Sequence, residues 1–332
     1  MAIFEITLLF LGSVIGAGFA TGAEMMAFFG GLNLPAWVIA ALVGLTMFAI
    51  IALEIYLNYP DKQQNTEHSP QNPRTAKIRD TGFILIYFIL FTAMTAGITQ
   101  ITNVGICIIA LIASAGIVLF GFQHLSRLNL YIVLMVIVLI VTTALPHLFS
   151  NTTARTPNYR WHNFPAGIFW ALLYAGLNCF MFPELIVASA KQHSRRTLLW
   201  AGVISALLVT ILVGLILTTI QNTNTQTAPI PLLAAAPNAI TMVVILLAVL
   251  TSQYAALFAI QQRGQKLLPC TKNHPAYSIT AICCCALIGS FCGFNHIVNF
   301  AYPLIGAFTC VYLLFSCWKT WRAWQVSRSR PR

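Results

Sequence analysis

Apolar residues fill this chain in long runs, and polar residues gather in the gaps between them. The runs cover about 3–29, 34–57, 81–101, 104–123, 129–149, 164–190, 197–220, 238–261, 275–293 and 296–318. Each is close to the roughly 20 residues that a helix needs to cross a bilayer. The pattern predicts an all-α polytopic membrane protein of ten transmembrane helices, with the whole chain, 1–332, as a single transmembrane domain. The gaps are short apart from Asn58–Asp80, Asn151–Asn163 and Gln221–Pro237, and no polar stretch is long enough to bury a core of its own. The first run has neither a basic leader nor a small-residue cleavage site, so it is expected to be a retained span.

Composition agrees with the pattern. Hydrophobic residues make up 58% and charged residues 8% of the chain, against roughly a quarter charged in soluble domains, and the mean hydropathy is +0.81. The net charge of +11 suggests a nucleic-acid partner until it is mapped onto the gaps. With the N-terminus inside, 16 of the 18 basic residues fall in inner connections or in the basic tail 319–332, and only Arg155 and Arg160 fall outside. That is the positive-inside asymmetry expected of ten spans with both termini cytoplasmic. The expected partners are therefore the lipid bilayer and a small molecule, with no nucleic acid.

Nine cysteines lie almost all in apolar runs without metal-ligand spacing to histidine, and they read as small packing residues. No covalent cofactor is expected. The seven histidines are scattered, no His-Glu-x-x-His or Walker-type sequence is present, and no βαβ unit surrounds the glycine-rich run. An enzyme and a primary pump are both disfavoured.

The chemistry concentrates in two runs. The first carries Gly12, Gly16, Gly18 and Gly22 and then Glu24. Glycine loosens a helix, and a charge at membrane depth is expensive unless it faces protein or water. A helix interrupted in mid-membrane accounts for both, although close packing of two helices on the small-residue spacing is the competing explanation. The sixth run repeats the design with Tyr174, Gly176, Asn178 and Pro183 followed by Glu184. Ten spans divide into halves of about 1–150 and 160–318, and five spans per half force an inverted relation. Matching breaks at the start of both halves are the mark of an inverted-repeat transporter. Glu54, near the end of the second run, is expected to lock helices through hydrogen bonds, and Glu5 to be solvated. In the eighth run Thr251 and Ser252 form a pair of mid-helix hydroxyls, which either bond back to their own helix or supply oxygens to a hard cation.

The run from Gly12 to Glu24, followed by Phe28, Phe29 and Gly30, resembles the opening of the YkvI-type membrane proteins, bacterial relatives of the amino acid–polyamine–organocation transporters. That wider group resembles the LeuT fold, five plus five inverted helices with the first and sixth broken. The resemblance implies a secondary active transporter of a small organic solute, an amino acid or related metabolite, coupled to sodium. It implies sodium ligands at Gly12, Ile15, Ala248, Thr251 and Ser252. It also implies substrate contacts at Ser13, Gly16, Ala17, Gly18, Tyr174, Ala175, Gly176 and Asn178. Glu24, which the sodium/neurotransmitter-type pattern lacks, keeps open a proton-coupled symporter using Glu24 or Glu184, and nothing in the sequence excludes a membrane sensor that binds a solute without moving it.

Overall fold

The computed structural model describes residues 2–59, 73–120, 125–149, 159–223, 225–228, 230–267 and 273–329. Most of the Asn58–Asp80 connection, most of the Asn151–Asn163 loop and Cys270 lie outside the described residues, as do the side chains of Ala17 and Glu184. The described residues form fourteen α-helices and no strand. In chain order these are α1 (Ala2–Val14), α2 (Ala17–Thr21), α3 (Ala23–Phe29), α4 (Ala36–Asn58), α5 (Pro73–Ile101), α6 (Val104–Phe120) and α7 (Leu125–Phe149). They continue with α8 (Phe164–Cys179), α9 (Phe182–Ala190), α10 (Arg195–Thr223), α11 (Pro231–Ala235), α12 (Ala239–Leu267), α13 (Pro275–Ser290) and α14 (Phe294–Ser329).

Among the described residues, five stretches are long and apolar enough to cross a bilayer unaided: Ala36–Asn58, Asp80–Ile101, Arg195–Thr223, Ala239–Leu267 and Phe294–Arg322. Shorter apolar helices run over Ala2–Val14, Val104–Leu119, Tyr131–His147 and Pro275–Ser290. The first and sixth runs fall short for a physical reason: each is cut into pieces, α1 to α3 and α8 to α9, and no single piece spans the roughly 30 Å hydrocarbon core at about 1.5 Å per residue.

Polar ties gather the helix ends into two groups. At one end, Asn163 donates to the Leu32 carbonyl (2.7 Å), Gln221 to Leu34 (3.2 Å) and Asn222 to His147 (2.9 Å). These bonds join the ends of α3, α7 and α10 to the start of α8. At the other end, the Tyr59 hydroxyl donates to the His193 carbonyl (3.2 Å), and Arg263 bonds Asp80 (3.2 Å) while lying over the Phe83 ring. The most extensive helix interfaces are α4 with α10 and α5 with α12.

Between the ends, one fully buried amide joins three helices. Gln253 of α12 donates to Thr95 of α5 (3.1 Å) and accepts from Ser114 of α6 (3.2 Å). A satisfied buried network fixes register, and removing one member strands the others. Gln253→Leu is expected to cost about 1–3 kcal/mol, read as a lower midpoint in thermal unfolding of the detergent-purified protein; an unchanged midpoint would show the network to be dispensable.

Candidate functional site at the two helix breaks

The first break is built by glycine. α1 ends at Val14, and Gly16 takes an extended conformation (φ −102°, ψ −170°). Its N–H turns to the Val14 carbonyl (2.9 Å) instead of the Gly12 carbonyl that an unbroken helix would offer it. The Gly12 carbonyl thus loses its ordinary donor. The chain becomes helical again at Ala17, with Ala20 bonded to the Gly16 carbonyl (2.9 Å). A second discontinuity follows at Gly22, whose φ of +75° lies in the left-handed region that side chains resist. Thr21 stabilises this corner by accepting from the Ala23 N–H (3.3 Å) and donating to the Gly18 carbonyl (2.9 Å).

The second break is built by proline. α8 stops at Cys179 and α9 starts at Phe182. Pro183 has no N–H to give the Cys179 carbonyl, so one rung of the ladder is missing. The two breaks approach each other: Phe10, near the end of α1, stacks on Phe182 with ring centroids 4.9 Å apart.

The span-eight hydroxyls meet the first break. A β-carbon added to Gly16 would lie 3.5 Å from Ser252 Oγ, an ordinary van der Waals distance, so this hydroxyl sits directly beside the first break. Thr251 and Ser252 both donate to the Ala248 carbonyl, at 2.9 and 3.0 Å, the back-bonding usual for mid-helix hydroxyls. Donation occupies the hydroxyl hydrogens and leaves oxygen lone pairs available. Thr251, Ala248 and Ile15 are buried, and Gly12, Ser13, Gly16 and Ser252 are half-buried. Ser13 bonds its own helix at the Phe10 carbonyl (2.7 Å).

The span-six residues are placed differently from the first. Tyr174, Ala175, Gly176 and Asn178 are buried, but they belong to intact α8, ahead of the break at Phe180 and Met181. Asn178 bonds the Tyr174 carbonyl one turn back (2.9 Å). Gly176 makes a backbone contact instead: a β-carbon there would stand 2.7 Å from the Gly306 carbonyl oxygen of α14.

The acids separate in environment. Glu5 is exposed. Glu54 is buried and accepts a hydrogen bond from Asn58 of its own helix. It borders a void of about 10 Å³ beside the second break, lined also by Phe180, Pro183 and Thr309, room for at most one water. Glu24 is buried, and its side chain occupies the space that a side chain at Gly18 would need. Tyr174 and Tyr302, both fully buried, lie on α8 and α14, which pack against α3. Tyr302 of α14 is absent from the sequence-derived set. The signal was available as a tyrosine directly before Pro303 in mid-span, but its place against α3 comes from packing between distant segments. A hollow of about 370 Å³ lined by Thr99, Gln100, Asn295 and His296, among others, lies away from both breaks and contains no predicted site residue.

The chain is similar over its length to the uncharacterized membrane protein YkvI of Bacillus subtilis (strain 168). The two are 22% identical over 331 residues, covering 93% of each. This chain is an all-α, multi-pass membrane protein. The similarity supports the YkvI-type resemblance seen in the opening run. No protein-family model matches the chain.

Proposed function

We propose that the protein is a secondary active transporter of a small organic solute, an amino acid or related metabolite, coupled to sodium by alternating access. The observation that carries this reading is the juxtaposition of Ser252 with Gly16 at the break in the first apolar run. A hydroxyl, its neighbour Thr251 and a carbonyl released from helical bonding at Gly12 are the hard oxygen donors that a sodium ion takes. Gly12, Ile15, Ala248, Thr251 and Ser252 are the proposed ligands, and the solute is proposed to bind along Ser13, Gly16, Ala17 and Gly18, with Tyr174, Ala175, Gly176 and Asn178 on the facing helix.

The architecture proposed is ten spans in a 5+5 inverted repeat of the LeuT kind. It draws support from interrupted helices at the start of both halves and from the two largest interfaces, each of which joins corresponding spans of the halves: second with seventh, third with eighth. Such a repeat can open alternately to either side around a fixed midplane site.

A proton-coupled version is favoured by one observation. Glu24 Oε2 is buried with no hydrogen-bond partner among the described residues, as suits a carboxyl that carries a proton. Thermal-shift titration of the purified protein against amino acids and related metabolites, in sodium and in choline buffers, tests the two versions. Solute-induced stabilisation that requires sodium supports the first; stabilisation indifferent to sodium and responsive to pH replaces it with the second.

The membrane orientation proposed has both termini cytoplasmic in the bacterial inner membrane. A C-terminal reporter fusion is expected to read cytoplasmic, and a periplasmic reading would remove the ten-span assignment.

A further inference from the structure

The buried oxygens without a hydrogen-bond partner among the described residues include Glu24 Oε2, Tyr174 OH and Tyr302 OH. They belong to α3, α8 and α14, which pack against one another. Glu24 is 6% exposed and both tyrosines 0%. Phe28, one turn after Glu24 on α3, meets the Tyr174 ring edge-on at 5.3 Å, and Tyr302 lies one turn before Gly306, whose carbonyl meets Gly176 of α8, so the three groups lie where these three helices meet.

Buried polar groups are normally satisfied, and buried charges are normally paired. Among the described residues no cation pairs with Glu24: the buried arginine, Arg263, is engaged by Asp80 and by the Phe83 ring. A proton on Glu24 would cancel its charge but leave the phenol oxygens of Tyr174 and Tyr302 without a partner, whereas a cationic N–H donor lying between them would both neutralise the carboxylate and engage the phenols.

We infer that Glu24, Tyr174 and Tyr302 form a subsite for a positively charged nitrogen on the solute. An ammonium has N–H donors and no acceptor, which complements a carboxylate with two phenol oxygens. The Tyr174 ring, held edge-on by Phe28 at 5.3 Å and flanked by Phe29 at 5.5 Å, adds a π surface of the kind that attracts organic cations. Gly18 gives the carboxylate its place, since a side chain there would occupy the same space. Glu24 repels a carboxylate, so the amine is the group this subsite recognises. That the occupant is then carried across the membrane rests on the transport reading above; that it binds does not.

The test is a thermal-shift titration of the full chain in detergent. The probes are primary amines from methylamine to isopentylamine, together with L-leucine and 4-methylpentanoate. At least one simple amine is expected to raise Tm, and 4-methylpentanoate is not. Glu24→Gln is expected to weaken the response to that amine at least tenfold, and Tyr302→Phe, which removes a single hydroxyl, about threefold. Both variants are expected to keep a cooperative transition without ligand. The inference is overturned if the carboxylate stabilises as well as the amines, if no amine stabilises, or if Glu24→Gln responds as wild type does. Should Glu24→Gln fail to fold, Tyr302→Phe with an unchanged amine response overturns it instead. Amines that bind but are never accumulated by vesicles would remove the transport reading and leave the subsite in place.

Discussion

Gly306→Ala is expected to lower stability by about 1–3 kcal/mol, the cost of forcing atoms into a close-packed contact. A β-carbon at Gly306 would run into the backbone carbonyl of Leu173 on α8, and one at Gly176 would meet the Gly306 carbonyl in return. A flexible side chain could yield; two helix backbones in contact cannot without moving apart. The separation would also disturb Tyr174 and Tyr302, which lie on the same pair of helices. Gly116→Ala is the control, because a β-carbon there meets nothing within 4 Å. Alanine in a helix is favoured over glycine by about 1 kcal/mol, so this change is expected to be neutral or stabilising. Equal unfolding midpoints for Gly306→Ala and the wild type would contradict the backbone contact.

Thr251→Ala combined with Ser252→Ala is expected to weaken the sodium response at least tenfold. The pair deletes two of the five proposed ligands. Each hydrogen-bond-scale contact to a charged group is worth about 1.5–3 kcal/mol, and about 1.4 kcal/mol is a factor of ten in affinity. The fold should tolerate the change, since both hydroxyls now bond only to the Ala248 carbonyl of their own helix and alanine is the best helix former. Solute affinity should fall by the same coupling factor, because linkage between two ligands is reciprocal. Wild-type sodium dependence in the double variant would remove the proposed sodium site.

Both interruptions were legible as clusters of residues that make poor helix, glycine in one run and Gly176, Asn178 and Pro183 in the other. Their registers were less so. Pro183 ends the bonding four residues before itself, which puts the break at Phe180 and Met181 and leaves Tyr174 to Asn178 inside α8. The resemblance set Thr251 and Ser252 against the carbonyls of Gly12 to Ile15; the contact described is that of Ser252 with Gly16. Gln253, adjacent to them, gave no hint that it bonds α5 and α6 instead. The expectation for Glu54 was right about hydrogen bonding, but its partner Asn58 lies on the same helix, so the bond described does not join helices. Tyr302 stood out only as a tyrosine directly before Pro303; its significance depends on α14 lying against α3 and α8, and local periodicity carries no information about such a contact.

Accumulation of solute by proteoliposomes tests the central claim most directly. Purified protein is reconstituted and offered radiolabelled amino acids and monoamines with an inward sodium gradient, with an inward proton gradient, and with neither. At least one compound is expected to rise inside above its external concentration when the sodium gradient is imposed, and to stop at equilibration without it. Stabilisation of the protein by that compound with no gradient-driven accumulation under any of the three conditions would contradict the transporter account and leave a solute sensor in its place.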